Sequence, residues 1–130
     1  MSYEDDVAMA WSVLVRLQAA IEDEDHTALS EIFDDEAVLI GPSTHCKGRQ
    51  EVDAYLATIL AQPGSFHWEW RDVVVFHEAP GLIGFASFGE VVYVDAQEVQ
   101  RAPFRLTVIA EEHPGGWLIR LFHGSMPSNF

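Results

Sequence analysis

The sequence predicts an α+β fold in which helices come first and one antiparallel sheet follows. Apolar residues in the first sixty positions recur at steps of three and four, as Val7, Trp11 and Leu14 do, and this is the period of an amphipathic helix. After residue 65 the chain changes to long runs rich in Val, Phe, Trp and Tyr, separated by short turns. Helices followed by strands are typical of folds whose helices pack on one face of a sheet.

Three helices and a short strand are predicted in the first half. The first helix is the apolar stripe that ends at Ile21, and Asp25 can cap a second, short helix. The apolar residues 37–40 suit a strand that Gly41 stops, because glycine favours turns. Gly48 then opens a third helix, which Pro63 and the following glycine end.

Four long strands are predicted in the second half, at residues 66–77, 82–94, 99–110 and 117–125. The turns between them are short, so the strands form an antiparallel meander. Apolar residues lie on both faces of these strands, and three helices cover only one face. We therefore expect a second copy to cover the other face, which makes the protein a homodimer.

The inward face of strand 82–94 is not fixed by the sequence. A turn of two residues at Asp95 and a turn of three shift the pairing by one position. Such a shift exchanges the two faces, so that either Phe85 and Ser87 or Phe88 and Glu90 point inward.

Length, charge and cysteine content restrict the class of protein. The chain has 130 residues, enough for one domain, and 48% of them are hydrophobic. Its net charge of −14 disfavours binding to nucleic acid or to an anionic membrane. No apolar run approaches the ~20 residues of a spanning helix. The acidic N-terminus lacks the pattern of a secretory signal and Cys46 has no disulfide partner, so a cytoplasmic location is expected.

Acidic residues are concentrated in short stretches, of which Glu22 to Asp25 is one. A calcium-binding loop would need oxygen ligands around a central glycine, and this stretch has none. We interpret the stretch as a solvated helical surface.

The order of elements and several local motifs resemble the nuclear transport factor 2 (NTF2)-like superfamily. The segments DHTALSEIFDDEAVLIGP and KGRQEVDAYL are similar to its N-terminal half, and GGWLIRLFHGSMPS is similar to the ending of SnoaL-like proteins and kinase association domains. The resemblance covers residues 1–130 as a single SnoaL-like domain. It implies a cone-shaped, curved antiparallel sheet wrapped around the N-terminal helices, a cystatin-like roll with a pocket at its wide end.

The resemblance to ketosteroid isomerases can be tested at three positions. The base of those enzymes falls on Gly41, and their two oxyanion donors fall on Leu17 and near Thr107. Steroid isomerisation needs a base and donors for the enolate oxygen. None of these groups is present, so we expect no steroid isomerase activity.

The comparison with the isomerases implies a pocket-facing polar floor. It places Arg105 and Thr107 on the concave face, together with a set in the last strand that shares one face: Trp117, Ile119, Leu121, His123 and Ser125. A buried guanidinium needs a partner, which could be a ligand carboxylate or a protein carboxylate such as Glu90 or Glu69. Trp11 and Tyr55 are further wall candidates, because each offers an apolar body and a donor.

Two functions remain open on these residues. The first is binding of a small organic molecule, for instance a carboxylate with an apolar body, with isomerisation, cyclisation or dehydration of a carbonyl compound as a further option. His123, Glu90 or Asp72 would then be the acid or base. The second is a non-catalytic dimeric assembly or regulatory module, which would show a pocket filled by Trp11, Phe85 or Phe88. No cofactor is predicted, and the histidines show no HExxH or HxH spacing, so no metal is expected.

Overall fold

The computed structural model describes residues 2–127, which form three helices and six strands. The elements are α1 (Tyr3–Glu22), α2 (His26–Glu31), β1 (Phe33–Gly41), β2 (Thr44–Lys47), α3 (Arg49–Leu60), β3 (Ser65–Ala79), β4 (Leu82–Val94), β5 (Val99–His113) and β6 (Gly116–Ser125). The predicted helices and the four-stranded meander are confirmed. The sequence missed β2, which pairs with β1 across a tight turn at Pro42 and Ser43.

All six strands belong to one curved, unclosed sheet with the order β2-β1-β6-β5-β4-β3. Neighbouring strands are antiparallel except β1 and β6, which run parallel, with Val38 opposite Leu121. The first strand therefore joins the sheet through the last one. Strand β1 is longer than the predicted residues 37–40, because it begins at Phe33, directly after α2 has ended.

Local capping explains where the N-terminal helices begin and end. Ser2 and Asp5 form a reciprocal capping box at the start of α1. The predicted cap of α2 is confirmed, since the Asp25 carboxylate accepts from the N–H of Ala28 at 3.0 Å. Between the two helices Glu24 has φ 51°, the left-handed region that usually holds glycine at a helix end.

The helices pack on one face of the sheet, here called the inner face. Leu14 and Leu17 of α1 are buried against this face, which carries Phe85, Leu106 and Val108. Strand β4 therefore turns Phe85 and the fully buried Ser87 inward, and Phe88 outward. The connection that fixes this register has four residues, 95–98, rather than the two or three considered from the sequence, and the Asp95 N–H donates to the Glu98 carbonyl within it.

Bulges move several side chains to the face opposite the one that simple alternation predicts. In β3 the register shifts between Trp70 and Asp72, so Trp70 lies on the inner face and Asp72 on the outer face. In β6, Ile119 pairs with Ala110 and Leu121 with Ile109, which leaves Arg120 unpaired in the β5 ladder. A bulge also bends its strand and increases its twist, so these shifts help to curve the sheet.

Candidate functional site

A cavity of about 480 Å³ opens between helices α1 and α3 and the inner face of the sheet. Its deep part is formed by buried apolar side chains, among them Leu17, Phe33, Leu39, Leu56, Trp68, Phe104 and Phe122. Its rim consists of exposed residues, including Glu24, Pro42, Gln62, Pro63 and Tyr93. A volume of this size lies within the range of sites for small organic ligands.

One wall of the cavity is a cluster of aromatic rings centred on Trp68. Its ring centroid lies 5.8 Å from Phe66, 6.1 Å from Phe104 and 6.0 Å from Phe122. Trp70 stacks on Trp68 at 5.5 Å but does not itself belong to the cavity lining. Rings in such a cluster present both faces and edges, so the wall suits a flat or cationic group.

Tyr55 places a hydroxyl group in the apolar surroundings of the cavity. It projects from α3, and a methyl group at Gly41 would lie 3.5 Å from its oxygen. Burial raises the pKa of Tyr55, and the nearby Cys46 and Tyr93 raise this pKa further. The phenol therefore stays protonated and can donate a hydrogen bond to a ligand. Of the predicted site residues, Tyr55 is the one that the structure places in the cavity lining.

The charges around the cavity are one-sided. Among residues 2–127 the ionisable lining residues are Glu24, Tyr55 and Tyr93, and no Lys, Arg or His belongs to the lining. From the described part of the chain, the deep cavity thus receives neither a carboxylate nor an imidazole to act as a base.

The expected pocket-facing placement of Arg105, Thr107 and His123 is wrong. Their neighbours Phe104 and Phe122 line the cavity, so by alternation the three residues lie on the outer face, where Thr107 pairs with His123. Arg105 and His123 are exposed. The comparison with the isomerases placed the second oxyanion donor only near Thr107, and an error of one position exchanges the two faces of β5. In β6 the bulge at Arg120 exchanges the faces in the same way. A carboxylate ligand was expected because Arg105 was predicted to face the pocket. Since Arg105 lies on the outer face, this reason for expecting a carboxylate no longer holds.

The other predicted site residues are also placed away from the cavity. Leu121 lies on the outer face, opposite Ile109, and Asp72 lies there opposite Phe88. Glu90 pairs with Arg71 and lies 3.6 Å from Arg101 on this same face. Trp11 packs against the core from α1 but does not line the cavity.

One cluster of side chains within residues 2–127 has the geometry of metal ligands. Oxygens of Asp34 and Glu111 and the Nε2 atom of His113 lie within 4.8 Å of one another. Arg120 already occupies this cluster, at 3.2 Å from Asp34 and 3.5 Å from Glu111. Burial alone would raise the pKa of Asp34, but the Glu36 N–H and the Arg120 guanidinium outweigh it and the pKa is lowered. We interpret the cluster as an ion-pair network that fastens β1 to β5 and β6.

Sequence reasoning missed Glu24 and most of the aromatic wall as cavity residues. Trp68 was not among the predicted pocket residues, although alternation along β3 does place Phe66 and Trp68 on the same face. Assigning Phe104 to the inner face requires the register in which β5 pairs with β4, and the sequence does not determine that register. For Glu24 the available signal was an acid at a position just after a helix, where glycine is usual.

The fold and the sequence assign this chain to a family. The family model described as SnoaL-like domain matches residues 11–129, so the chain belongs to the SnoaL-like domain family. A search of curated proteins finds no match.

Solved structures share the fold at low sequence identity. A candidate dehydratase of the NTF2-like family from Streptomyces avermitilis superposes with a TM-score of 0.85 at 18% identity, covering 98% of this chain and 100% of that one. A ketosteroid isomerase-like protein from Erwinia carotovora atroseptica has a TM-score of 0.77 at 17% identity, with coverage of 98% and 100%. A candidate calcium/calmodulin-dependent protein kinase type II association domain from Thiobacillus denitrificans has a TM-score of 0.76 at 18% identity, with coverage of 89% and 93%. These similarities show the fold.

Within residues 2–127 no helix combines the length and apolarity needed to cross a membrane.

Proposed function

We propose that this protein binds a small organic molecule with a large apolar body in the cavity between α1, α3 and the sheet. The observation that carries the proposal is an open cavity of about 480 Å³ with a buried aromatic wall. In an assembly module with a vestigial pocket, core side chains would fill this space. Phe85 instead belongs to the core and Trp11 packs against the core, both outside the cavity lining, and Phe88 is on the outer face.

Binding without turnover fits the lining better than proton-transfer chemistry. Isomerisation or dehydration needs a base within hydrogen-bond reach of the substrate. Tyr55 can donate a hydrogen bond to a carbonyl or hydroxyl oxygen, but Gly41 stands beside it where the isomerase comparison expected a base. We therefore expect the protein to have no steroid isomerase activity.

The test uses two ligands that differ in one acceptor, 2-acetylnaphthalene and 2-ethylnaphthalene, in isothermal titration calorimetry. We expect both to bind. Tyr55→Phe should lower the affinity for the ketone roughly two- to tenfold, because one hydrogen bond is lost. The affinity for the hydrocarbon should not change.

A cavity-filling variant separates cavity binding from surface binding. Ile59→Trp adds a larger side chain to the lining and should abolish binding of both ligands. Val15→Trp adds the same side chain at a position of α1 that is 57% exposed, and should leave binding intact. Equal affinities in Ile59→Trp and the unmodified protein would contradict the proposal.

A further inference from the structure

The rim of the cavity contains a carboxylate at a conformationally unusual position. The N–H groups of Glu24 and Asp25 donate to the carbonyls of Ile21 and Ala20 at 3.1 and 3.0 Å, which closes the end of α1 as a Schellman motif. Glu24 is the residue of this motif with φ 51°, a conformation that glycine adopts without a steric penalty. Glu24 is also the one carboxylate among residues 2–127 that lines the cavity.

The surroundings of Glu24 all favour positive charge in a ligand. Its chain neighbours Asp23 and Asp25 are acidic and exposed, and no Lys, Arg or His of residues 2–127 lines the cavity. The aromatic wall inside offers ring faces, which attract cations through their quadrupole. The net charge of −14 adds a field that attracts cations and repels anions over the whole surface.

We infer that the ligand of this cavity is an apolar, aromatic molecule that carries a cationic group, an amine or a quaternary ammonium, and that Glu24 selects it by charge. The inference rests on the proposed function, since it names the class of molecule that the same cavity takes. The apolar body lies against the aromatic wall, and the cationic group lies at the rim, between the ring faces and the Glu24 carboxylate. A carboxylate ligand meets only repulsion there.

A non-glycine residue in the left-handed region is consistent with this role. Residues in sparsely populated backbone conformations cluster at active sites and ligand-binding sites. Replacement of Glu24 by glycine should relieve the strain and raise the melting temperature, while the preference for cations is lost.

The experiment measures the affinities of three probes with one naphthyl body. They are (2-naphthylmethyl)trimethylammonium, its neutral carbon isostere 2-neopentylnaphthalene and the anion 2-naphthylacetate. We expect the cation to bind at least tenfold more tightly than the anion, and raising the salt concentration should reduce this ratio. The neutral probe tests the proposed function alone. If no probe binds, the proposed function fails; if the neutral probe binds and the cation does not exceed the anion, only the present inference fails.

Charge reversal at matched positions tests the role of Glu24. Glu24→Lys and Glu22→Lys both change the net charge from −14 to −14 + 2 = −12, but Glu22 does not line the cavity. Glu24→Lys should lower the ratio of the affinity for the cation to the affinity for the neutral probe about fivefold or more. Glu22→Lys should change this ratio of affinities by less than about twofold. Equal effects of the two variants, or no effect of Glu24→Lys, would overturn the assignment of Glu24.

Discussion

Gly124 allows close contact between β6 and an aromatic ring of the cavity wall. A methyl group at this position would lie 2.5 Å from the Cζ atom and 3.2 Å from the Cε1 atom of Phe104. Ordinary contacts begin near 3.4 Å, so the ring would have to move by roughly 1 Å. The ring cannot simply turn away, because Phe104 is 7% exposed and lies 6.1 Å from Trp68 and 6.0 Å from Trp70.

We therefore expect Gly124→Ala to destabilise the protein by about 1–3 kcal/mol, the usual cost of overpacking. For a chain of this length that lowers the melting temperature by roughly 4–12 °C, measured by circular dichroism. Gly115→Ala is the matched control, because a methyl group there meets nothing within 4 Å, and it should change stability by less than about 0.5 kcal/mol. Adding Phe104→Leu to Gly124→Ala should restore part of the loss. A Gly124→Ala protein as stable as the Gly115→Ala control would refute the reasoning.

Two further predictions concern ion pairs and association. Because the pKa of Asp34 is lowered, its carboxylate stabilises the folded protein above the ordinary pKa of 3.8, and this stabilisation is lost as the pH falls below that value. In urea unfolding, the free energy of unfolding of Asp34→Asn should therefore fall less between about pH 5 and pH 2 than that of the unmodified protein. The outer face carries Phe88, which is 43% exposed, beside Arg105, and we expect two copies to associate through it. Sedimentation equilibrium should give a dimer that Phe88→Asp dissociates; a monomeric unmodified protein at micromolar concentration would contradict this.

The order and type of the elements could be predicted because local signals determine them. Period, capping by Asp25 and the turn residues each act within a few positions of the chain. The short strand β2 could not be predicted, because it has four residues and Cys46 is the buried one among them. One buried position shows no hydrophobic period. Its pairing depends on β1 lying beside it.

The site was harder to predict because it depends on the faces of the strands. Alternation transmits a one-residue error along a whole strand, and the bulge at Arg120 introduces such an error in β6. Arg105 and His123 were therefore expected on the wrong face. Tyr55 was placed correctly in the cavity, because helix α3 has no bulge and its apolar side follows from the sequence.

The parallel pairing of β1 with β6 has a consequence for the order of folding. Strands β3 to β6 pair with their neighbours in the chain, so their hairpins need only short loops to close. The unit formed by α2, β1 and β2 instead docks on β6, about eighty residues downstream, and this contact carries the largest loop-closure cost in the sheet. During synthesis that unit leaves the ribosome before β6 does, and its apolar side chains, Leu39 among them, stay without their partner until β6 has been made. Strand β6 therefore completes the sheet, because it joins β1 and β2 to the antiparallel meander.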